Sequence, residues 1–85
     1  MLVKVLGPGC FNCELLERRV WKALSAARVS ATVEKVADLD ELEGYWERGM
    51  PCLLIDGQLV CAGRVPETGE IAQWIADALD ARRNS

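Results

Sequence analysis

The chain has 85 residues, 51% of them hydrophobic, with four cysteines, no histidine and a formal net charge of −3. That length supports one domain with one core, burying roughly 60–65% of its unfolded surface, and the periodic spread of apolar residues excludes a disordered chain. Acids and bases alternate without a basic face for nucleic acid, and every apolar run falls far short of the ~20 residues that span a bilayer.

No basic stretch followed by a long apolar run opens the chain, so the expectation is a cytoplasmic protein. Paired cysteines there serve catalysis or metal binding more often than structure.

Leu2-Val3-Lys4-Val5-Leu6 is short, β-branched and ended by Gly7-Pro8-Gly9, which predicts a first strand. From Phe11 to Arg28 the residues Leu16, Val20, Ala23, Leu24 and Ala27 recur at three- and four-residue spacing. This is a helix with one buried face. Glu14, Arg18 and Arg19 fall on its solvated side, and Trp21 is half exposed or covers a neighbouring element. Val29 to Val36 alternates and is rich in β-branched residues, a second strand.

Asp38 stands three residues before Glu41, a capping pair for a short second helix with Leu39, Leu42 and Tyr45 or Trp46 inward and Gly49 as its stop. Pro51 to Ile55 and Gln58 to Ala62 flank Asp56-Gly57, the signature of a hairpin closed by a type I′ turn. Ile71, Trp74, Ile75, Ala78 and Leu79 mark a last amphipathic helix, and Arg82 to Ser85 are expected to fray. Trp46 and Trp74 are expected in the core or at its edge. Arg64 is expected as a solvated loop residue rather than a contact for an anionic substrate. The order is β-α-β-α-β-β-α in one domain, 1–85: an α/β fold whose mixed four-stranded sheet carries helices on both faces.

The chemistry sits in Cys10-Phe11-Asn12-Cys13, between the first strand and the first helix. Two cysteines three positions apart at a helix start bring their sulfurs to one face. The helix terminus favours negative charge by ~0.3–1 kcal/mol, less than about one pKa unit. With no histidine to supply an imidazolium, Cys10 should ionise near pH 7, as a mildly activated thiol. Cys10 is therefore the candidate nucleophile and Cys13, one turn in, the candidate resolving thiol. A metal site or a structural pair remains the competing reading of CxxC.

Counting back from a two-residue turn pairs Ile55 with Gln58, Leu54 with Leu59, Leu53 with Val60, and Cys52 with Cys61. A close, non-hydrogen-bonded pair would permit a cross-strand disulfide. The alternatives for Cys52 and Cys61 are two small buried hydrophobes, or metal ligands.

This order, with CxxC after the first strand, resembles the thioredoxin fold, and most of all the small glutaredoxin-sized redox-active disulfide proteins of bacteria and archaea. The residues that carry the resemblance are Gly7 to Cys13, Gly49-Met50-Pro51, Asp56-Gly57 and Gly63-Arg64-Val65-Pro66. It implies a cis proline at Pro51 packed beside the CxxC, and a backbone at Met50 that pairs with an extended substrate segment. Gly9 and Phe11 would complete the substrate surface. It further implies a thiol–disulfide oxidoreductase working without cofactor or metal, as a monomer, on protein disulfides. Electrons would come from a reductase-like flavoprotein or a small thiol, and the potential would be reducing.

The chain departs from the family at two points. Gly9 stands where thioredoxins carry tryptophan, and the glutaredoxin glycine-glycine-acid signature for glutathione is absent near Gly63. The competing functions are a cysteine-based metal-binding or metal-carrier module and a partner-binding domain with incidental cysteines. Heavy-metal carriers place methionine two residues before the first cysteine, where this chain has Pro8.

Overall fold

A computed structural model describes residues 1–9 and 11–83. Among these residues the elements in chain order are β1 (Leu2–Leu6), α1 (Phe11–Ala27), β2 (Thr32–Val36), α2 (Leu39–Leu42), a 3₁₀ turn (Trp46–Arg48), β3 (Cys52–Ile55), β4 (Gln58–Ala62) and α3 (Thr68–Arg83). The sheet order is β2-β1-β3-β4. β1 runs parallel to β2 and antiparallel to β3, and β3 and β4 form the hairpin. This is the mixed sheet and element order that the sequence predicts.

Both central residues of the hairpin turn have positive φ, 50° at Asp56 and 83° at Gly57, as a type I′ turn requires. Asp56 also locks the turn to β1. Its amide donates to the Leu2 carbonyl at 2.8 Å, and its carboxylate accepts from the Leu2 amide at 2.9 Å.

Two apolar layers lie on opposite faces of the sheet. The larger joins Val3, Val5, Leu53 and Ile55 to Leu16, Val20, Ala23 and Leu24 of α1 and to Ile71 and Ile75 of α3. The smaller joins Leu6, Cys52 and Leu54 to Val36 and to Leu42 of α2. Trp74, Ala78 and Leu79 pack at the edge of the larger layer.

Three local expectations are corrected. β2 begins at Thr32 rather than Val29. At the end of α1, Arg28 turns into the left-handed region (φ 55°) and the Val29 amide returns to the Leu24 carbonyl at 3.0 Å. That 6→1 closure ends the helix and withdraws Val29 from the ladder. Second, α2 closes after one turn. Asp38 caps it by accepting from the Asp40 amide at 2.8 Å, but the chain breaks at Gly44 (φ 90°). Of the expected inward residues, Leu42 is fully buried and Tyr45 packs on the smaller layer, whereas Leu39 (68%) and Trp46 (47%) are exposed.

Third, Arg19 leaves the solvated face of α1 and donates to the Pro66 carbonyl at 2.9 Å. α3 is helical through Arg83. Arg82 and Arg83 sit in its last turn, where positive charge suits the helix dipole, and Arg82 lies 4.0 Å from the Asp56 carboxylate. Asn84 and Ser85 lie outside the described residues.

The largest correction concerns the hairpin register. Ile55 pairs with Gln58 and Leu54 with Leu59, as counted, but Leu53 then pairs with Cys61 and Cys52 with Ala62. Val60 is the extra residue of a β-bulge. The bulge turns Val60 and Cys61 to the same, larger layer, leaving Cys52 in the smaller one. Cys52 and Cys61 are therefore separate thiols on opposite faces of the sheet rather than a cross-strand disulfide.

Candidate active site

β1 delivers the chain to the site. Beyond Leu6 the Gly7 amide donates to the Val36 carbonyl at 3.0 Å, carrying the β1–β2 pairing one residue further. Gly7 is buried, and a Cβ there would collide with Cys13 Sγ and lie 3.8 Å from Pro51 Cβ. Gly7, Cys13 and Pro51 thus meet at one point, and only glycine lets the first turn of α1 settle against the end of β1. From the sequence, Gly7 reads only as the end of a strand. Its place between a strand and a CxxC helix was the available signal.

Cys13, in the first turn of α1, is 2% exposed. Burial beneath the helix start is what a resolving thiol needs, and an attacking thiol must be more accessible. Cys10, expected as that nucleophile, lies outside the described residues. Its neighbours on either side are open: Gly9 is exposed with a positive φ of 87°, and Phe11 is 74% exposed.

Pro51 enters β3 through a cis peptide bond with Met50 and is buried, while Met50 is partly exposed. Gly49 precedes them at φ 93°, ψ 155°, a conformation open in practice to glycine alone. A Cβ on Gly49 would come within 2.9 Å of Gly63 Cα, so two glycine backbones pack face to face. The Gly63 amide donates to the Pro51 carbonyl at 3.1 Å.

The other thiols have distinct surroundings. Cys52 is fully buried and donates to the Gly49 carbonyl at 3.0 Å. Burial pushes its thiol above the ordinary value of 9.0. The nearby thiols of Cys61 and Cys13 push the same way, and the Arg48 guanidinium opposes them. The Cys61 thiol approaches the Arg64 carbonyl at 3.9 Å, a weak contact.

Arg64 is neither unpaired nor aimed at a substrate anion. It forks onto Glu70 at 2.8 and 3.2 Å, and this pairing lowers the Glu70 carboxyl below its ordinary value. Glu70 also accepts from the Glu67 amide at 3.0 Å, capping α3. Among the described residues no three Cys, His, Asp or Glu side chains converge to hold a metal ion. No described helix is long and apolar enough to cross a membrane.

A buried CxxC thiol at a helix start, with a cis proline beside the same glycine, at the entrance to a strand of a mixed β2-β1-β3-β4 sheet, agrees with what the family comparison finds. The "Thioredoxin domain" family model matches residues 1–76. The chain belongs to the thioredoxin family. It is 32% identical over 76 residues to a thioredoxin of Methanothermobacter thermautotrophicus, covering 89% of this chain and 99% of that one. A thioredoxin of Methanocaldococcus jannaschii is 26% identical over 82 residues, covering 96% of this chain and 94% of that protein. A shorter similarity, 45% over 47 residues, links 55% of this chain to 38% of an Escherichia coli arsenical resistance operon trans-acting repressor, ArsD. This member of the thioredoxin family is a thiol–disulfide oxidoreductase.

Proposed function

We propose that Cys10 and Cys13 are the exchanging dithiol and that the protein reduces disulfides in extended protein segments. The observation that carries this is the meeting of Cys13 Sγ, Gly7 and Pro51 at the start of α1. The Cys10 thiolate attacks one sulfur of a substrate disulfide, forming a mixed disulfide and expelling the other sulfur as a thiolate, which takes a proton. Cys13 then gives up its proton and attacks the Cys10 sulfur. The second substrate thiol leaves, and the enzyme keeps a Cys10–Cys13 disulfide. Two electrons have passed to the substrate, and an external dithiol or a flavoprotein reductase returns them.

Met50 presents its backbone to the substrate strand, with Pro51 beneath it and Gly9 and Phe11 at the rim. The open setting of Phe11 and Gly9 supports that role. Residues 1–85 act as one unit, as a monomer without metal or cofactor. A mildly activated, reducing thiol pair suits a reducing compartment such as the cytosol.

The test is dithiothreitol-driven reduction of a protein disulfide by the wild type, Cys10→Ser and Cys13→Ser. Both variants should fall to the uncatalysed rate, and a wild type no faster than they are sinks the reading. A second reading, capture of a soft metal or metalloid by the dithiol, is favoured by the similarity to the arsenical-resistance repressor. Stoichiometric zinc or copper after chelator-free purification would support it.

A further inference from the structure

Cys52 has no part in the exchange just described, yet it follows Pro51 directly and its thiol points back along the chain to the Gly49 carbonyl. The segment it touches is one that needs holding. Gly49 sits at φ 93°, ψ 155°, and glycine gives a segment more freedom than any other residue.

Two contacts fasten this segment from outside. In the first, the Gly63 amide donates to the Pro51 carbonyl at 3.1 Å, and the Gly63 backbone lies so close to Gly49 that a Cβ on Gly49 would not fit. The second is the Cys52 thiol on the Gly49 carbonyl. Arg64, next to Gly63, is clamped to Glu70 of α3, so the Gly63 side is anchored to a long helix. Cys52 is anchored by its own strand and by full burial among Leu6, Val36, Leu42 and Leu54.

We propose that Cys52 is a positioning residue for substrate: by donating to the Gly49 carbonyl it holds Gly49-Met50-Pro51 in the orientation in which the Met50 backbone pairs with an extended substrate segment. The proposal rests on the reading of Met50 given above. The thiol is suited to this work because burial keeps it protonated, and only the S–H form can donate. The same protonation keeps it out of the exchange, which needs a thiolate.

Cys52→Val keeps an apolar side chain of similar size and removes the donor. Cys52→Ser keeps a donor at the same place. Each is compared with wild type, prereduced, on two substrates: a peptide whose disulfide lies in an extended segment, and a small aromatic disulfide with no backbone to pair. In Cys52→Val the half-saturating peptide concentration should rise roughly three- to tenfold, the factor one net hydrogen bond supplies. Its limiting rate, and its rate on the small disulfide, should stay at the wild-type values, and Cys52→Ser should restore peptide affinity.

Unchanged peptide affinity in Cys52→Val overturns the proposal, as does an equal loss on both substrates, which marks a general packing defect. Cys52→Ala is the second donor-less variant if valine prevents folding. A wild type no faster than Cys13→Ser on either substrate overturns the exchange reading itself. Normal exchange with no effect at position 52 overturns the positioning role alone.

Discussion

The two faces of the sheet are built to different depths. One is covered by α1 and α3, long amphipathic helices that bury Leu16, Val20, Leu24, Ile71 and Ile75 over Val3, Val5, Leu53 and Ile55. The other is covered by one turn of α2 and a 3₁₀ turn, which bring down only Leu42 and part of Tyr45. Both faces keep an open hollow of similar size, about 200 Å³ on the thin face beside Lys4, Leu6 and Tyr45 and about 210 Å³ beside Val60 and Trp74 of the thick one, so the difference lies in the cover and not in empty space. The site lies where the two constructions meet. Cys13 hangs from a helix of the thick face, while the Gly49-Met50-Pro51 segment leads out of the thin face and is fastened there by Cys52. Hydrophobic burial on the thick side therefore supplies most of the stability.

The contrast breaks most sharply under large-to-small substitution. Leu16→Ala, in the thick layer, should cost about 4 kcal/mol. Leu42→Ala, under the thin cover where the chain can settle into the gap, should cost about 2 kcal/mol, the low end of the range for such changes. Urea unfolding of both measures the difference, and equal losses would mean that the faces are equally constrained.

Next in size is Gly7→Ala, which tests the seam. The added methyl must displace Cys13 Sγ, so stability should fall by about 1–3 kcal/mol. Exchange should slow more than the folded fraction explains, because the resolving sulfur moves. A Gly7→Ala protein with wild-type turnover would show that Cys13 tolerates displacement.

The smallest effect lies on the thin face alone and appears only at alkaline pH. The folded state raises the Cys52 thiol above 9.0, so its share of stability is complete below that value and is lost as pH rises through the folded value. Stability of the wild type measured from pH 8 upward should therefore decline more steeply than that of Cys52→Val, since only the wild type carries this thiol. Parallel curves would show that the thiol is not perturbed.

Much of this was legible in the chain because it depends on local pattern. Short apolar runs at Leu2–Leu6 and Cys52–Ile55 bounded by turn residues, three-and-four spacing in α1 and α3, and Asp56-Gly57 fix element type through backbone sterics and burial, which act within a few residues. Three features were not legible. Helical spacing from Leu39 to Trp46 suggests a buried stripe, but the chain turns extended at Glu43, so only Leu42 and Tyr45 come down onto the sheet. Arg19 looked solvated because its partner, the Pro66 carbonyl, lies 47 residues away. The pairing of Cys52 with Cys61 failed because counting from a turn assumes an unbroken ladder.

By itself, the sequence determined the element order, the type I′ hairpin and the CxxC at the start of the first helix, all properties of neighbouring residues. Tertiary structure alone decided the bulge at Val60, which sends Cys52 and Cys61 to opposite faces, and the closeness of Gly7 to Cys13 and of Gly49 to Gly63. Those depend on where separate elements come to rest once both faces of the sheet are packed, and packing is a property of the whole chain.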